Sequence, residues 1–156
     1  MKKLITVLML ATALGTPTLA FAKDTKLSIQ MSNYWGPPAY LAVYLNKPDG
    51  TFDSTVWVAG GQSRYQRDLR SWFRAASSSN QRIDGITGAS IGGGRTMQVD
   101  VNIADSLIDA GYTLHVDSAV QDGGLVRDDA VLKLTQANSG TVVAGRGYVG
   151  ALSVSF

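Results

Sequence analysis

The segment Asp84 to Ser90, Asp-Gly-Ile-Thr-Gly-Ala-Ser, combines residue types that can present a reactive hydroxyl group. Thr87 and Ser90 carry hydroxyls on either side of Gly88 and Ala89, and Asp84 adds a carboxylate upstream. Because glycine has no side chain, a ligand can approach the backbone closely at Gly88, and a tight turn would expose the Ser90 hydroxyl. The same residue types are typical of a β-turn before a strand, so the pattern leaves both interpretations open.

A second group with chemical potential is a row of arginines, Arg64, Arg67, Arg70 and Arg74. On a helix this spacing places all of them on roughly one side, and Asp68 can pair with Arg64 one turn away. Guanidinium groups bind phosphate or carboxylate through two parallel hydrogen bonds. Arg64 and Arg67 are the better anion-binding candidates, because they lie nearest the predicted helix N-terminus. The alternative is a solvated helix face.

The other polar residues favour structural roles. His115, the sole histidine, falls on the polar side of an alternating segment and is predicted to face solvent. A lone exposed histidine lacks the partner that a metal site or a general base needs. Asp105, Asp109, Asp128 and Asp129 are predicted to be turn and surface charges rather than ligands of a hard cation. We therefore predict neither catalytic residues nor a metal site.

Three aromatic residues, Tyr34, Trp35 and Tyr40, flank a Gly-Pro-Pro segment. They could form a patch against a ring-shaped ligand or a partner protein. Packing within the core or a loop is the favoured interpretation, since large aromatic side chains contribute strongly to cores.

The N-terminus predicts export from the cytoplasm. Lys2 and Lys3 precede a short apolar run, and a small-residue Ala-Phe-Ala sequence ends at Ala22. This order is typical of a secretory signal peptide, and the run is too short to span a bilayer stably. We predict a signal peptide over residues 1–22 and a soluble periplasmic domain over residues 23–156.

The absence of cysteine excludes disulfides, c-type haem attachment, cysteine-ligated clusters and a lipoprotein anchor. Without Lys2 and Lys3 the formal charge of +2 falls to about zero. Composition therefore gives no reason to expect a nucleic-acid partner.

Alternation of apolar and polar residues dominates the rest of the chain and predicts strands with one buried face. Two runs, Tyr40 to Leu45 and Val56 to Ala59, are apolar on both faces and predict central strands. Turn signals occur at Asp49-Gly50, Asp122-Gly123-Gly124 and Asn138-Ser139-Gly140. We predict an immunoglobulin-like β-sandwich of about seven to eight strands in a single domain.

One segment departs from the strand pattern. From Arg64 to Ala76 the apolar residues recur with helical spacing, which predicts one inserted helix with Ser63 as its N-cap. Its apolar face contains Tyr65, Leu69, Trp72, Phe73 and Ala76. We expect this helix to lie across one end or edge of the sandwich, and a flexible link of Ser77 to Asn80 to follow it.

The turn at Asp84 to Ser90 resembles the Asp-x-x-(Ser/Thr)-Gly-Ala-(Ser/Thr) motif of the target proteins of periplasmic FAD:protein FMN transferases. These enzymes attach FMN through a phosphoester to the last hydroxyl of the motif. The resemblance implies that Ser90 is the acceptor and that Asp84, Thr87, Gly88 and Ala89 are recognised. Many such targets have threonine at the acceptor position, and the serine found here also carries a hydroxyl.

The wider chain resembles the family of predicted periplasmic proteins called domain of unknown function 2271. The resemblance rests on the strand at Tyr40 to Leu45, the Asp49-Gly50 turn, and the segment Asp68 to Arg74 ahead of the motif. This family is similar to the immunoglobulin-like domain of flagellar hook-capping proteins. The resemblance implies that members of this family act together with PepSY-domain membrane proteins and with the FMN transferase. It therefore implies a part in flavin-based electron transfer outside the cytosol.

Three functions follow as expectations. The first is an electron carrier with covalent FMN on Ser90, in which the flavin supplies the redox chemistry and the chain is not itself an enzyme. The second is a non-enzymatic binding module that docks on a PepSY-type membrane protein. The third and least favoured is a small outer-membrane β-barrel, suggested by the alternating C-terminus that ends in Phe156.

Overall fold

The computed structural model of the chain describes residues 22–60 and 62–156, without the side chains of Ala22 and Lys23. The predicted signal peptide lies outside the described residues, apart from Ala22. Within the described ranges the chain forms nine strands and two helices: β1 (Ala22–Met31), β2 (Tyr40–Asn46), β3 (Phe52–Ala59), α1 (Ser63–Gln66), α2 (Arg70–Ser78), β4 (Thr87–Gly88), β5 (Thr96–Ala104), β6 (Thr113–Val120), β7 (Gly124–Lys133), β8 (Val142–Ala144) and β9 (Val149–Ser155).

The strands form two sheets, which confirms the predicted sandwich. One sheet has the order β5-β1-β9-β8 and is antiparallel throughout. The other has the order β4-β3-β2-β6-β7, in which only the short edge strand β4 runs parallel to its neighbour. The predicted number of strands was slightly too low, because β4 and β8 have only two and three residues and give almost no alternation signal.

The connections between the sheets follow a Greek-key arrangement. Hairpins join β2 to β3, β6 to β7 and β8 to β9, and the chain crosses to the opposite sheet between them. The order β7-β6-β2-β3 is that of the sheet of strands G, F, C and C′ in an immunoglobulin-type sandwich. The C-terminal strand β9 pairs with β1, so the two ends of the fold are held together in one sheet.

The main core lies between the two sheets. Alternate residues of β1, β2, β6 and β9 point into it and are almost completely buried, as the period-2 pattern predicts. These include Leu27, Ile29, Leu41, Val43, Leu114, Val116, Leu152 and Val154. Burial of side chains of this size stabilises the fold by about 1.5–3 kcal/mol each relative to exposure.

A second hydrophobic cluster covers the outer face of the five-stranded sheet. Tyr40, Ala42 and Tyr44 alternate on that face of β2, and Leu69 and Trp72 from the helical segment pack over the sheet. The Trp72 indole N–H donates to the Thr55 hydroxyl of β3 at 2.9 Å. The prediction that the helix lies at an end or edge of the sandwich was therefore wrong: it covers a sheet face, which is why β2 is apolar on both sides.

The helical segment is broken in two, which corrects the prediction of one continuous helix. The amides of Asp68 and Leu69 bond to carbonyls three residues back, at 3.1 Å each, so the chain tightens between α1 and α2. This kink turns Leu69 fully into the second cluster. Ser63 is the first residue of α1 rather than its N-cap, and no side chain caps either helix.

The end of α2 replaces the predicted flexible link. The helix continues to Ser78, and the Ser78 and Ser79 hydroxyls each donate to a backbone carbonyl three residues back at 2.8 Å. Asn80 then adopts a positive φ of 54°, a conformation that commonly terminates helices. Among the described residues, no helix has the length and the apolar character that a membrane crossing needs.

The three predicted turns are present and close the expected connections. At Asp49-Gly50 the Gly50 amide donates to the Lys47 carbonyl at 2.9 Å, and Gly50 has a φ of 83° that glycine tolerates best. The Asp122 turn joins β6 to β7, and the Asn138 turn precedes β8.

A buried carboxylate connects the two sheets. Asp129 of β7 is completely buried and accepts hydrogen bonds from the backbone amides of Arg146 (2.8 Å), Gly147 (2.6 Å) and Val149 (2.9 Å). It also accepts from the Ser118 hydroxyl of β6 at 2.5 Å. Because Val149 begins β9 of the other sheet, Asp129 fixes the loop that carries the chain across the sandwich. The prediction that Asp129 is a surface charge was therefore wrong.

We predict that Asp129→Asn lowers the free energy of unfolding by about 2–3 kcal/mol, because one carboxylate oxygen becomes an NH₂ group that cannot accept from the Val149 amide. Urea denaturation followed by tryptophan fluorescence measures this loss. Asp100→Asn is the matched control, since the Asp100 side chain is 74% exposed, and it should stay within about 0.5 kcal/mol of the wild type. Equal stabilities of the two variants would contradict the role assigned to Asp129.

Candidate functional site

The motif residues lie at the edge of the five-stranded sheet. Asp84 is exposed in a turn that is closed by the Ile86 amide and the Ile83 carbonyl (3.1 Å), with Gly85 at a φ of 85°. A positive φ at this third position is the signature of a type II turn. Thr87 and Gly88 then form β4, and the Gly60 amide donates to the Gly88 carbonyl at 2.8 Å.

Gly88 has a packing reason to be glycine. A β-carbon at this position would lie 2.7 Å from Cζ2 of Trp57, so any other residue would displace the indole. The Trp57 indole N–H is buried and has no hydrogen-bond partner among the described residues. The side of Gly88 that a side chain would occupy is thus filled by the protein's own tryptophan.

Ser90 is held from both sides. The Gly88 carbonyl is tied to β3, and on the other side Ile91 and Ala39 form a two-bond antiparallel bridge (2.7 and 3.0 Å). Ala89 is exposed and Ser90 is half-buried. Within residues 22–60 and 62–156, no group forms a hydrogen bond with the Ser90 hydroxyl. The backbone is therefore fixed while the hydroxyl is available.

Ser90 lines an open cleft of about 290 Å³. Its other walls are formed by Ala89, Gly60, Gln62 and two tyrosines, Tyr40 and Tyr65. The tyrosine rings are stacked, with centroids 4.6 Å apart and planes inclined by 11°. Burial, followed by the nearby Tyr65 and Asp68, raises the pKa of the Tyr40 hydroxyl, so it stays protonated as a neutral wall of the cleft.

The predicted arginine row is divided by the kink between the two helices. The Arg64 guanidinium carbon lies 4.5 Å from the centre of the Tyr65 ring, and its Nη2 donates to the Tyr65 hydroxyl at 2.5 Å. Arg67 is exposed at the end of α1. Arg70 lines a different cleft with Asp68, and Asp68 forms no ion pair with Arg64 among the described residues. Because α1 has only one turn, it provides no helix N-terminus that would favour an anion.

The aromatic residues around the Gly-Pro-Pro segment do not form one patch. Tyr40 belongs to the cleft beside Ser90, whereas Tyr34 packs edge-on against Tyr148 and donates to the Ile91 carbonyl at 3.1 Å. Trp35 is fully exposed to solvent. The loop that carries Trp35 is thus tied to the residue that follows Ser90.

A buried polar network on the outer face of β2, β6 and β7 was not predicted. The Tyr44 hydroxyl lies 3.1 Å from Asp117 Oδ1 and 3.3 Å from Asp128 Oδ1. His115 stacks on Tyr44 and places Nδ1 2.7 Å from Asp128 Oδ1 and Nε2 2.8 Å from the Thr113 hydroxyl. The His115 side chain is 14% exposed, so the prediction that it faces solvent was wrong.

The physical reason for this correction is the covered outer face of the sheet. His115 is the cross-strand neighbour of Tyr44, so it shares the face that a period-2 pattern assigns to water. Burial raises the pKa of the Asp117 carboxyl, and Asp117 Oδ2 has no hydrogen-bond partner among the described residues. Across residues 22–60 and 62–156, no set of three or more acidic, histidine or cysteine side chains is arranged to hold a metal ion.

The cleft residues that the sequence did not indicate are Gly60 and Gln62. Tyr65 was expected only as part of an apolar helix face, and Tyr40 as part of a central strand, with an aromatic patch as the alternative. No periodicity joins residues from β2, α1 and the motif loop, because their proximity follows from how the helical segment crosses the sheet.

The comparison with protein families decides what this chain is related to. The sequence model of a family described as predicted periplasmic protein (DUF2271) matches residues 22–151. The chain belongs to this family. The match confirms the resemblance to this family, and it spans from the first residue of β1 into β9 and includes the whole cleft beside Ser90. The resemblance of the motif at Asp84 to Ser90 to FMN transferase targets stays a prediction. Comparisons with the curated proteins and with the solved structures find no match.

We predict that Asp117→Asn reduces the pH dependence of the free energy of unfolding. Because the folded pKa of Asp117 is raised above its ordinary value of 3.8, the folded state holds this proton more tightly, and stability is lost as pH rises from 3.8 through the folded pKa. The asparagine oxygen can accept from both Tyr44 and the Asp128 amide without carrying a charge.

The urea midpoint of the variant, relative to that of the wild type, should therefore increase as the pH rises from 4 to 8. Asp53→Asn, a half-buried position on β3 outside this network, provides a control that should follow the wild-type curve. A variant that is less stable than the wild type by the same amount at pH 8 and at pH 4 would show that the Asp117 charge does not destabilise the folded state.

Proposed function

We propose that this DUF2271 protein is a periplasmic electron carrier that holds FMN covalently on Ser90. The observation that carries the proposal is the Ser90 hydroxyl, which has no partner among the described residues and borders a cleft walled by two stacked tyrosines. The chain acts in this proposal as the modified substrate of an FAD:protein FMN transferase, and it catalyses no turnover itself. A PepSY-domain membrane protein is the proposed partner for electron exchange.

The attachment step balances as a transfer of FMN from FAD. The Ser90 oxygen forms a bond to the phosphorus that carries the flavin, and the bond between this phosphorus and the AMP oxygen breaks. AMP leaves, and the Ser90 hydroxyl proton passes to the base supplied by the transferase. Asp84, Thr87, Gly88 and Ala89 are the residues that we expect the transferase to recognise.

Three features of the surroundings of Ser90 support the proposed attachment. The two-sided backbone tethering of Ser90 fixes the origin of the phosphoester, and the turn at Asp84 is exposed where an enzyme can reach it. Arg67 is an exposed cation in the preceding segment and remains our candidate for binding the phosphate. When bound, the flavin supplies the electron-transfer chemistry, and the protein supplies its orientation and electrostatic surroundings.

A second candidate function is a binding module in which Ser90 stays unmodified. Trp35 supports it, because a fully exposed tryptophan on a loop tied to Ile91 is well suited to anchor a partner protein. In that case the loop would dock on a PepSY-type membrane protein directly. The same co-expression experiment separates the two candidates.

We predict that co-expression with an active periplasmic FMN transferase increases the intact mass of the protein by one FMN less one water. Ser90→Ala should show no increase, because the acceptor oxygen is missing. Ser90→Thr should still be modified, since it keeps a hydroxyl at the same position.

Ser79→Ala is the matched control, because it removes an exposed serine hydroxyl outside the motif and should leave the increase in mass unchanged. Modification of Ser90→Ala to the wild-type extent would assign the flavin to another residue. An unmodified wild type, alongside a known target that the same transferase does modify, would refute the carrier proposal and favour the binding module.

A further inference from the structure

We propose that the open edge of β5 is a docking site for an extended segment of a partner protein, which adds to the four-stranded sheet as a further strand. The segment that fits this edge alternates basic residues on the outer face of the sheet with apolar residues on the inner face. This inference goes beyond the proposed function, because it holds whether or not Ser90 carries FMN.

Among the sheet edges that the described residues form, β5 is the one that is both long and uncapped. It has nine residues, contains no proline, and pairs with β1 without a register shift. The edge strands β4 and β8 have only two and three residues. The edge of β7 is capped by the Arg146 side chain, which donates to the carbonyls of Asp128 (3.1 Å) and Arg127 (3.3 Å). Because native proteins usually protect long edges in such ways, an unprotected edge is a template for another strand.

The core is incompletely covered beneath this edge. Met97 and Val99 point between the two sheets but are only half-buried. Their cross-strand partners on β1, Ile29 and Leu27, are completely buried. A further strand beside β5 would place alternate side chains in the same layer and cover Met97 and Val99. Burial of this apolar surface would stabilise the added strand, together with its main-chain hydrogen bonds.

A cavity of about 250 Å³ lies between β5 and the facing edge of the other sheet. Its apolar lining comes from Val101 of β5, from Val56 and Trp57 of β3, and from Ile86 of the turn before β4. Pockets beside an edge strand receive alternate side chains of the strand that is added, and they give such binding its specificity. Arg82 also lines the cavity, so an apolar inward residue fits better than a basic one.

The charge on the outer face of the edge favours one kind of partner. Asp100 is the central residue of β5, is 74% exposed, and forms an ion pair with Lys26 of β1 at 3.7 Å. A lysine or arginine opposite Asp100 on an added strand would form a favourable cross-strand pair. Two copies of this chain that paired antiparallel along the whole of β5 would place their Asp100 carboxylates opposite each other, which is destabilising. A basic segment of another protein is therefore favoured over a second copy.

The test uses synthetic peptides of the same length as β5 that carry a fluorescent label, and it measures their affinity for the purified protein by fluorescence anisotropy. A peptide that alternates lysine with valine should bind. Replacement of its lysines by glutamate should weaken binding about tenfold, because an attractive pair with Asp100 becomes a repulsive one. Replacement of its valines by serine should weaken binding by at least as much, because the apolar contacts with the inner face are lost.

A charge reversal in the protein tests the assigned contact. Asp100→Lys should reverse the preference, so that the glutamate peptide binds more tightly than the lysine peptide. Asp68→Lys is the matched control, because it makes the same change of charge at an exposed residue between α1 and α2. This control should keep the wild-type preference for the lysine peptide.

Amide hydrogen exchange locates the bound peptide. The lysine peptide should slow exchange in β5 and leave exchange in β7 unchanged. Failure of the wild type to bind the lysine peptide, an unchanged preference in Asp100→Lys, or protection confined to other strands would overturn the inference. A dimer whose β5 amides are protected without any peptide would assign this edge to a second copy and overturn it as well. All these readouts use the protein without FMN, so they are independent of the test of Ser90.

Discussion

The outer face of the five-stranded sheet is apolar and cannot remain in water. Tyr40, Ala42 and Tyr44 of β2 would be exposed there unless another layer covered them, and Leu69 and Trp72 provide that layer. Truncation of a buried tryptophan of this kind costs about 3–5 kcal/mol, which is a large part of the stability of a domain of this size. The helical segment is therefore held against the sheet by hydrophobic burial, and the position of the cleft beside Ser90 follows from it.

That packing brings together residues that are distant in the chain. Because Leu69 is anchored under the kink, α1 places Tyr65 on Tyr40, and the chain then returns along the sheet edge as β4. Gly88 fits over Trp57, and the bridge at Ile91 fixes the far side of the acceptor residue. The aromatic wall thus belongs to the cluster that covers the outer face of the sheet, whereas the contacts that fix the edge on both sides of Ser90 belong to the core between the two sheets.

Much of the fold could be predicted from local patterns, and the cleft could not. Period-2 alternation identified the inner faces of β1, β5, β6 and β9, and the Gly-containing turns marked the hairpins. The same alternation failed for His115, because it assumes that the second face of each strand is wet. The burial of Asp129 could not be predicted, because it depends on backbone amides of the distant segment Arg146 to Val149. The helical pattern gave the correct buried side chains but missed the kink, since no glycine or proline marks it and only tertiary packing of Leu69 imposes it. The motif at Asp84 to Ser90 was recognisable from residue types, whereas the stacked tyrosines depend on long-range contacts.

The most direct test of flavin attachment is to isolate the protein from the periplasm of its native host, digest it, and determine the mass of the peptide that contains Asp84 to Ser90. We predict that this peptide carries FMN on Ser90 and that the flavin stays with the chain after denaturation. Recovery of the peptide only in its unmodified form, from cells in which another transferase target is flavinylated, would contradict flavin attachment at Ser90 and favour a binding module without a bound flavin.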